Sequence, residues 1–273
     1  MIAPPTDLLD PLLARLAAWR AGHQGLFVLG ICGAQGSGKS TLVAALMARL
    51  AADGVRVAAL SLDDLYRTHA ERQRLAREVH PLLATRGVPG THDVALGLGV
   101  LDAVARGEAA PLPRFDKAFD DRRPSAEWPC APAGTQVLLL EGWCLGARAQ
   151  DEAALVQPIN ALEADEDVQG RWRGYANAAL AGDYQQLFAR VDRLVLLAAP
   201  GWDVVARWRE QQEVDLRERA PGGTRVMDPA QVARFIQHYE RLTRHILTEM
   251  PPRADLVIRL GPEREVLGIV GGG

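Results

Sequence analysis

The residues Gly33-Ala34-Gln35-Gly36-Ser37-Gly38-Lys39-Ser40 satisfy the spacing GxxxxGK[ST], and Thr41 follows them. Glycines at such positions let the backbone turn until its N–H groups converge on phosphate oxygens. A helix starting where the loop ends adds roughly half a positive charge to the same point. In such a loop Lys39 bridges the β- and γ-phosphates of a nucleoside triphosphate, and the Ser40 hydroxyl ligates Mg²⁺. The bland alternative is a glycine-rich turn without a ligand. The apolar run before the loop and the helical pattern after it favour the phosphate reading.

Phosphoryl chemistry also needs carboxylates. Asp63 and Asp64 follow the apolar stretch VRVAALSL, and Glu141 closes VLLLE. In parallel α/β sheets, ligands gather at the carboxyl ends of strands, where these acids fall. Glu141 is expected to reach Mg²⁺ directly or through water, the alternative being a mere strand-end cap. Asp63 is the candidate base that accepts or orients an acceptor hydroxyl, and it joins Ser40 and Glu141 as a candidate metal ligand. The competing reading makes the Asp-Asp pair a cap for a helix beginning near Leu65.

The 273 residues carry a net charge of −3, 48% hydrophobic and 24% charged residues. No global field points to nucleic acid or an anionic membrane, and no apolar run is long enough to span a bilayer. The start MIAPPTDLLD lacks the features of a signal peptide, so a cytoplasmic location is expected. Cys32, Cys130 and Cys144 have neither disulfide nor zinc spacing. Positive charge is supplied by 29 arginines and 2 lysines, Lys39 and Lys117. A lysine in so arginine-rich a chain hints at a place where a compact ammonium matters.

Continuous apolar runs at 26–32, 55–61, 135–142, 192–200 and 254–260 read as buried parallel strands. Helical spacing fills 11–21 (Asp10 as N-cap, Pro11 at N1), 39–52, 91–106, 202–219 and 228–248. Strands alternating with helices predict a doubly wound, mainly parallel sheet with helices on both faces: an α/β, P-loop NTPase fold. The chain is expected to be one domain, with an N-terminal helical extension over 1–24, an excursion over 108–134, a helical lid over 205–226 and a frayed glycine tail.

The P-loop together with SLDDLY (61–66), VPGTHD (88–93), LPRFDK (112–117), LLLEGWCLG (138–146) and RWREQQE (207–213) resembles the D-glycerate 3-kinase family of P-loop kinases. That family is akin to uridine kinase, pantothenate kinase and phosphoribulokinase. The likeness covers roughly residues 26–245. It implies ATP with Mg²⁺, phosphoryl transfer to a small-molecule hydroxyl, Asp63 as the catalytic aspartate and Glu141 as the acidic Walker B position. His92, Asp93, Arg114, Asp116 and Lys117 match substrate-side segments. Two departures stand out. Leu65 replaces the usual aromatic two residues after Asp63, and AFDDRRPSAEWP replaces the usual glycine-bearing stretch after Lys117, leaving Asp121 and Arg122 to fill its role.

A small hydroxy acid needs a cation for its carboxylate, and Arg114, Lys117 and Arg122 or Arg123 are candidates, with Asp116 for a hydroxyl and Trp143 lining the pocket. Surface charge is the alternative for the arginines. His92 is either a polarised imidazole or a helix-terminal hydrogen-bonder with Thr91 as cap; His238 and His245 read as surface. Arg207, Arg209, Arg217 and Arg219 lie on a basic helix ending at Pro-Gly-Gly, as in a lid whose arginines neutralise transition-state charge, Arg209 foremost. The alternative is an exposed helix with a Glu213–Arg217 pair. A kinase for another small hydroxyl substrate, or a nucleotide switch, remains a competing function, although no NKxD-type guanine motif is present. Oligomeric state is left open.

Overall fold

The computed structural model describes residues 6–219 and 229–271. Its elements run α1 (Thr6–Arg20), β1 (Phe27–Gly33), α2 (Lys39–Ala52), β2 (Val57–Ser61), α3 (His69–Glu78) and α4 (Val94–Ala105). There follow the short strands β3 (Ala110–Pro111), β4 (Phe115–Asp116), β5 (Asp121–Arg122) and β6 (Cys130–Ala131). The second half holds β7 (Val137–Gly142), α5 (Ala161–Glu166), α6 (Arg171–Ala181), α7 (Asp183–Phe188), β8 (Arg193–Ala198), α8 (Trp202–Arg219), α9 (Pro229–Glu249), β9 (Leu256–Leu260) and β10 (Val266–Gly271).

The main sheet has the order β10-β9-β8-β1-β7-β2. All its pairings are parallel except the antiparallel edge strand β10. β1 and β7 lie inside the sheet and are buried on both faces. That explains why their sequences are continuous apolar runs and not alternating ones. The expected α/β, P-loop NTPase fold is the observed one.

α2 packs on β1, β2 and β7 through Leu42, Val43, Leu46 and Leu50, a stripe at i, i+4 and i+8. Fully burying such a leucine contributes about 1.5–3 kcal/mol, and this fixes the helix that leaves the P-loop. α9 packs against α8 and α5 and buries Val232, Ile236, Tyr239 and Ile246, with Met250 just past its end.

Several expectations need correction. Asp10 does not cap α1, because the helix already runs from Thr6 and Pro11 lies inside it. Leu8, Leu12 and Leu16 form one buried stripe, and burying Leu8 requires the earlier turn. Asp10 accepts instead from Arg49. His238 is 4% exposed, since it sits on the inward side of α9 against Trp172. Of the glycine tail, Gly271 pairs with Leu256 as the end of β10, while the last two glycines lie outside the described residues. The excursion over 108–134 is built of two small antiparallel ladders, β3–β6 and β4–β5.

Candidate active site

The loop between β1 and α2 has the shape that a phosphate cradle requires. Gly36 and Gly38 adopt φ of 78° and 88°, the left-handed region that glycine enters without a Cβ clash. A Cβ on Gly36 would stand 2.7 Å from Cβ of Trp208. From behind, Arg264 donates through Nε to the Gly36 carbonyl at 2.6 Å and lies over the Trp208 ring at 5.2 Å. Trp208 itself donates to the Pro262 carbonyl. The Ser37 hydroxyl and the Gln35 amide oxygen are buried without a hydrogen-bond partner, which marks the loop as built for a polar ligand. Lys39 turns its Nζ to the Ala34 carbonyl at 3.2 Å.

The register between β2 and β7 sets Ser61 beside Glu141. Glu141 Oε1 accepts from the Ser61 hydroxyl at 2.7 Å and from the Ser40 hydroxyl at 3.3 Å. This joins the carboxylate at the end of β7 to the P-loop across the sheet end. Hard oxygens of this kind suit Mg²⁺ beside nucleotide phosphates. Among the described residues no group of three or more His, Cys, Asp or Glu forms a metal cage.

After β2 the chain makes a single 3-10 turn, Leu62–Leu65, whose N-cap is Ser61. The Asp pair therefore caps no helix at Leu65; the next helix, α3, is capped by Thr68 in a capping box with Glu71. The turn sends the two acids to different partners. Asp63 accepts from Tyr66 Oη at 2.8 Å and from Lys117 Nζ at 2.6 Å. Asp64 accepts from the Phe115 N–H and from Arg114, each at 3.0 Å. Burial pushes Asp63 up, but the Lys117 ammonium and the hydrogen bonds from Lys117 and Tyr66 outweigh it, holding the carboxyl well below the usual carboxylate range. At Asp64 burial prevails over Phe115 and Arg114, and its pKa is raised. Tyr66 and Lys117 each take one oxygen of Asp63, and each oxygen keeps a further lone pair.

The P-loop, Asp63, Tyr66 and Lys117 open on one cleft of about 820 Å³ of empty space, its mouth included, whereas Glu141 reaches it only through its contact with Ser40. One wall is the P-loop, with Gln35, Gly36, Gly38, Lys39, Ser40 and Thr41; the facing wall carries Asp63, Tyr66, Arg86 and Lys117. Arg209 of α8 with Phe235 and Tyr239 of α9 closes the third side.

Residues 7–69 match the family model described as methylmalonyl Co-A mutase-associated GTPase MeaB. An uncharacterized kinase, mug58, of Schizosaccharomyces pombe is 38% identical over 222 residues, covering 78% of each chain. A chloroplastic D-glycerate 3-kinase of Arabidopsis thaliana is 30% identical over 223 residues, 78% of this chain and 46% of that protein. The chain thus spans less than half the length of the plant enzyme. The solved D-glycerate 3-kinase of Cryptococcus neoformans var. grubii superposes with a TM-score of 0.79 at 26% identity, covering 97% of this chain and 98% of that one. The chain belongs to the D-glycerate 3-kinase-like family of P-loop kinases.

In this glycerate 3-kinase-like kinase, several residues singled out from the sequence stand outside the cleft lining. Arg114 is occupied by Asp64, and Arg122 donates to Asp93 and to the Tyr66 carbonyl. Asp116 accepts from the Ala118 and Phe119 N–H groups and from Arg123. Asp93, not Thr91, is the N-cap of α4, accepting from Leu96 N–H. His92 is fully buried; it meets Tyr184 Oη at 2.6 Å through Nδ1 and stacks on Tyr66 at 4.6 Å. Burial lowers its pKa to about 3, so it is a neutral support beneath Tyr66. Trp143 stands edge-on to Tyr239 at 5.0 Å and lines a separate cavity of about 390 Å³.

Tyr66, Arg86, Phe235 and Tyr239 line the cleft although sequence reasoning assigned them no role there. Tyr66 supplies the aromatic contact to Asp63 that Leu65 cannot; Leu65 is buried against Gly97. Of the basic helix, Arg209 reaches the cleft and lies over Phe235 at 5.5 Å. The side chains of Glu213, Arg217 and Arg219, and the turn at 221–223, lie outside the described residues.

Proposed function

We propose that this kinase transfers the γ-phosphoryl group of ATP to a hydroxyl of a small hydroxy acid, D-glycerate being the acceptor and 3-phosphoglycerate the product. The observation that carries this reading is that Asp63, held ionised, faces the P-loop residues Lys39 and Ser40 across one cleft. Lys39 and the loop N–H groups hold the β- and γ-phosphates. The Ser40 hydroxyl and Glu141 hold Mg²⁺, which neutralises charge on those phosphates when bound.

Asp63 accepts a hydrogen bond from the acceptor hydroxyl and aims its oxygen at the γ-phosphorus. A carboxylate held well below its usual pKa is a poor base but a firm acceptor. That suits a loose transition state, in which charge and alignment matter more than early proton removal. Arg209, on the described part of the proposed lid, stabilises charge on the transferred group, and closure of α8 excludes water. The single-domain organisation, with the lid over 205–226 and the acceptor side built by 108–134, is part of the same proposal.

A nucleotide switch is the reading from a different class. The MeaB match over residues 7–69 is compatible with it, but Arg86, Lys117 and Glu141 lie beyond that stretch. ADP release with ATP, Mg²⁺ and a panel of D-glycerate, uridine, pantothenate and ribulose 5-phosphate separates the readings. Turnover with D-glycerate and its loss in Lys39→Ala are expected. Turnover with another acceptor discards the substrate and keeps the kinase; hydrolysis unaffected by all four favours the switch.

A further inference from the structure

We infer that Arg86 receives the carboxylate of the acceptor and that Asp120 is the positioning residue that holds its guanidinium at the cleft. This rests on the hydroxy-acid reading above.

Four of the local cations each have a carboxylate of their own. Arg114 pairs with Asp64, Arg122 with Asp93, Arg123 with Asp116 and Lys117 with Asp63. Arg72 and Arg86, by contrast, share the one carboxylate of Asp120. Arg72 is fully buried and donates to Asp120 Oδ2 at 2.9 Å, to the Asp120 carbonyl at 2.7 Å and to the Ala84 carbonyl at 2.8 Å. His69 Nδ1 also faces Asp120, at 3.2 Å. The neighbouring acid, Asp121, is turned to the N–H groups of His69 and Arg122. Two guanidiniums on one carboxylate leave a positive charge in surplus, and Arg86 is the member of the pair that lines the cleft, beside Asp63, Tyr66 and Lys117.

Arg86 is also the best-fixed cation on that wall. One of its terminal nitrogens donates to Asp120 Oδ1. Its guanidinium lies over the Phe115 ring at 5.6 Å, with Arg72 over the same ring at 5.7 Å. Its carbonyl accepts from Tyr239 at 3.1 Å. A guanidinium has five N–H donors, so the bond to Asp120 leaves a face free for a second carboxylate. Lys39 belongs to the phosphate loop, and Lys117 lies on Asp63. Asp120 has φ of 57°, a left-handed backbone that aspartate tolerates. It falls in the stretch where the family's usual glycines are missing, and the residue that replaces that flexibility carries the carboxylate that aims Arg86.

Steady-state kinetics with D-glycerate and with its uncharged amide, glyceramide, tests this. In Arg86→Gln the KM for D-glycerate should rise roughly 10- to 100-fold, the loss of one charge-assisted contact. The KM for ATP should stay within about twofold, and the preference for D-glycerate over glyceramide should collapse. An unchanged preference overturns the assignment. Arg86→Lys, which keeps charge but loses the fork, should fall between the two and carries the test if the glutamine variant does not fold. Asp120→Gly keeps the left-handed backbone open; it should raise the KM for D-glycerate but not for glyceramide. A lowered Tm with an unchanged KM overturns the positioning role. If the wild-type enzyme turns over a different anionic acceptor, D-glycerate is discarded and Arg86 is judged on that acceptor by the same criteria. Wild-type turnover with neutral acceptors only, or with none, overturns both readings.

Discussion

Asp63 and Asp64 are neighbours in the chain, yet one is driven below the usual carboxylate range and the other above it. The 3-10 turn hands Asp63 to the Lys117 ammonium and the Tyr66 hydroxyl, whereas Asp64 meets a backbone N–H and Arg114 on the β4 side. The pair thus divides into an ionised group facing the cleft and a half-buried strut for the 108–134 segment.

Asp63→Asn is therefore expected to lower kcat by roughly 10²-fold or more, with little change in ATP affinity. Asp64→Asn should act chiefly on stability, because it weakens the hold on Phe115 and Arg114. Paired measurements of kcat and Tm on the two variants check this; a larger kcat loss for Asp64→Asn would exchange the roles.

Removing the ammonium leaves the burial of Asp63 opposed only by the weaker pulls of the Tyr66 hydrogen bond and Lys39. In Lys117→Met the acid limb of the kcat/KM profile should move upward, from well below the ordinary value of about 3.9 towards it. The position of the limb, not the amplitude, is the readout. An unshifted limb would mean that Lys117 does not control this carboxyl.

His92 and His238 have folded pKa values lowered to about 3 and about 4 by burial. Each binds its proton less readily folded than unfolded, so their contribution is complete above the unfolded value of about 6.5. It is lost as pH falls through the folded values. Tm should decline from about pH 6.5 towards pH 4, more shallowly in His238→Gln. Calorimetry across that range measures it.

Gly36→Ala should cripple nucleotide binding. The added Cβ meets Trp208 at 2.7 Å in a left-handed backbone, a conformation that costs an ordinary residue roughly 1–2 kcal/mol. Titration calorimetry with ATP should show affinity reduced by tenfold or more, and wild-type affinity would show that the loop relaxes freely.

Much of this was legible in the chain itself. Apolar runs marked five sheet strands because parallel strands covered on both faces leave little room for polar side chains. The span of α2 was also readable, since its apolar stripe starts at the loop lysine. α3 was not, because HAERQRLARE carries too few apolar residues to show a period. Its readable signal was the Thr68–Glu71 capping box. β10 carries no such signal, because VLGIVG combines an edge position with glycines. In the site, Lys39, Asp63 and Glu141 follow from motif spacing. Arg86 does not: among 29 arginines, which one lines the cleft while sharing its carboxylate with a second arginine is decided by folding, here by Arg72 burying itself on Asp120.

The sheet order has a consequence for how the protein is made. β1 and β2, consecutive in the chain, are not partners; β7 lies between them and pairs Val137 with both Phe27 and Val57. At the 5–20 residues per second of translation, β1 waits on the order of 5–20 s for that neighbour. Its other flank waits longer, for β8. During that interval a strand as apolar as FVLGICG is a natural client for a nascent-chain chaperone. The loop that defines the enzyme is translated well before the strands that hold it in place.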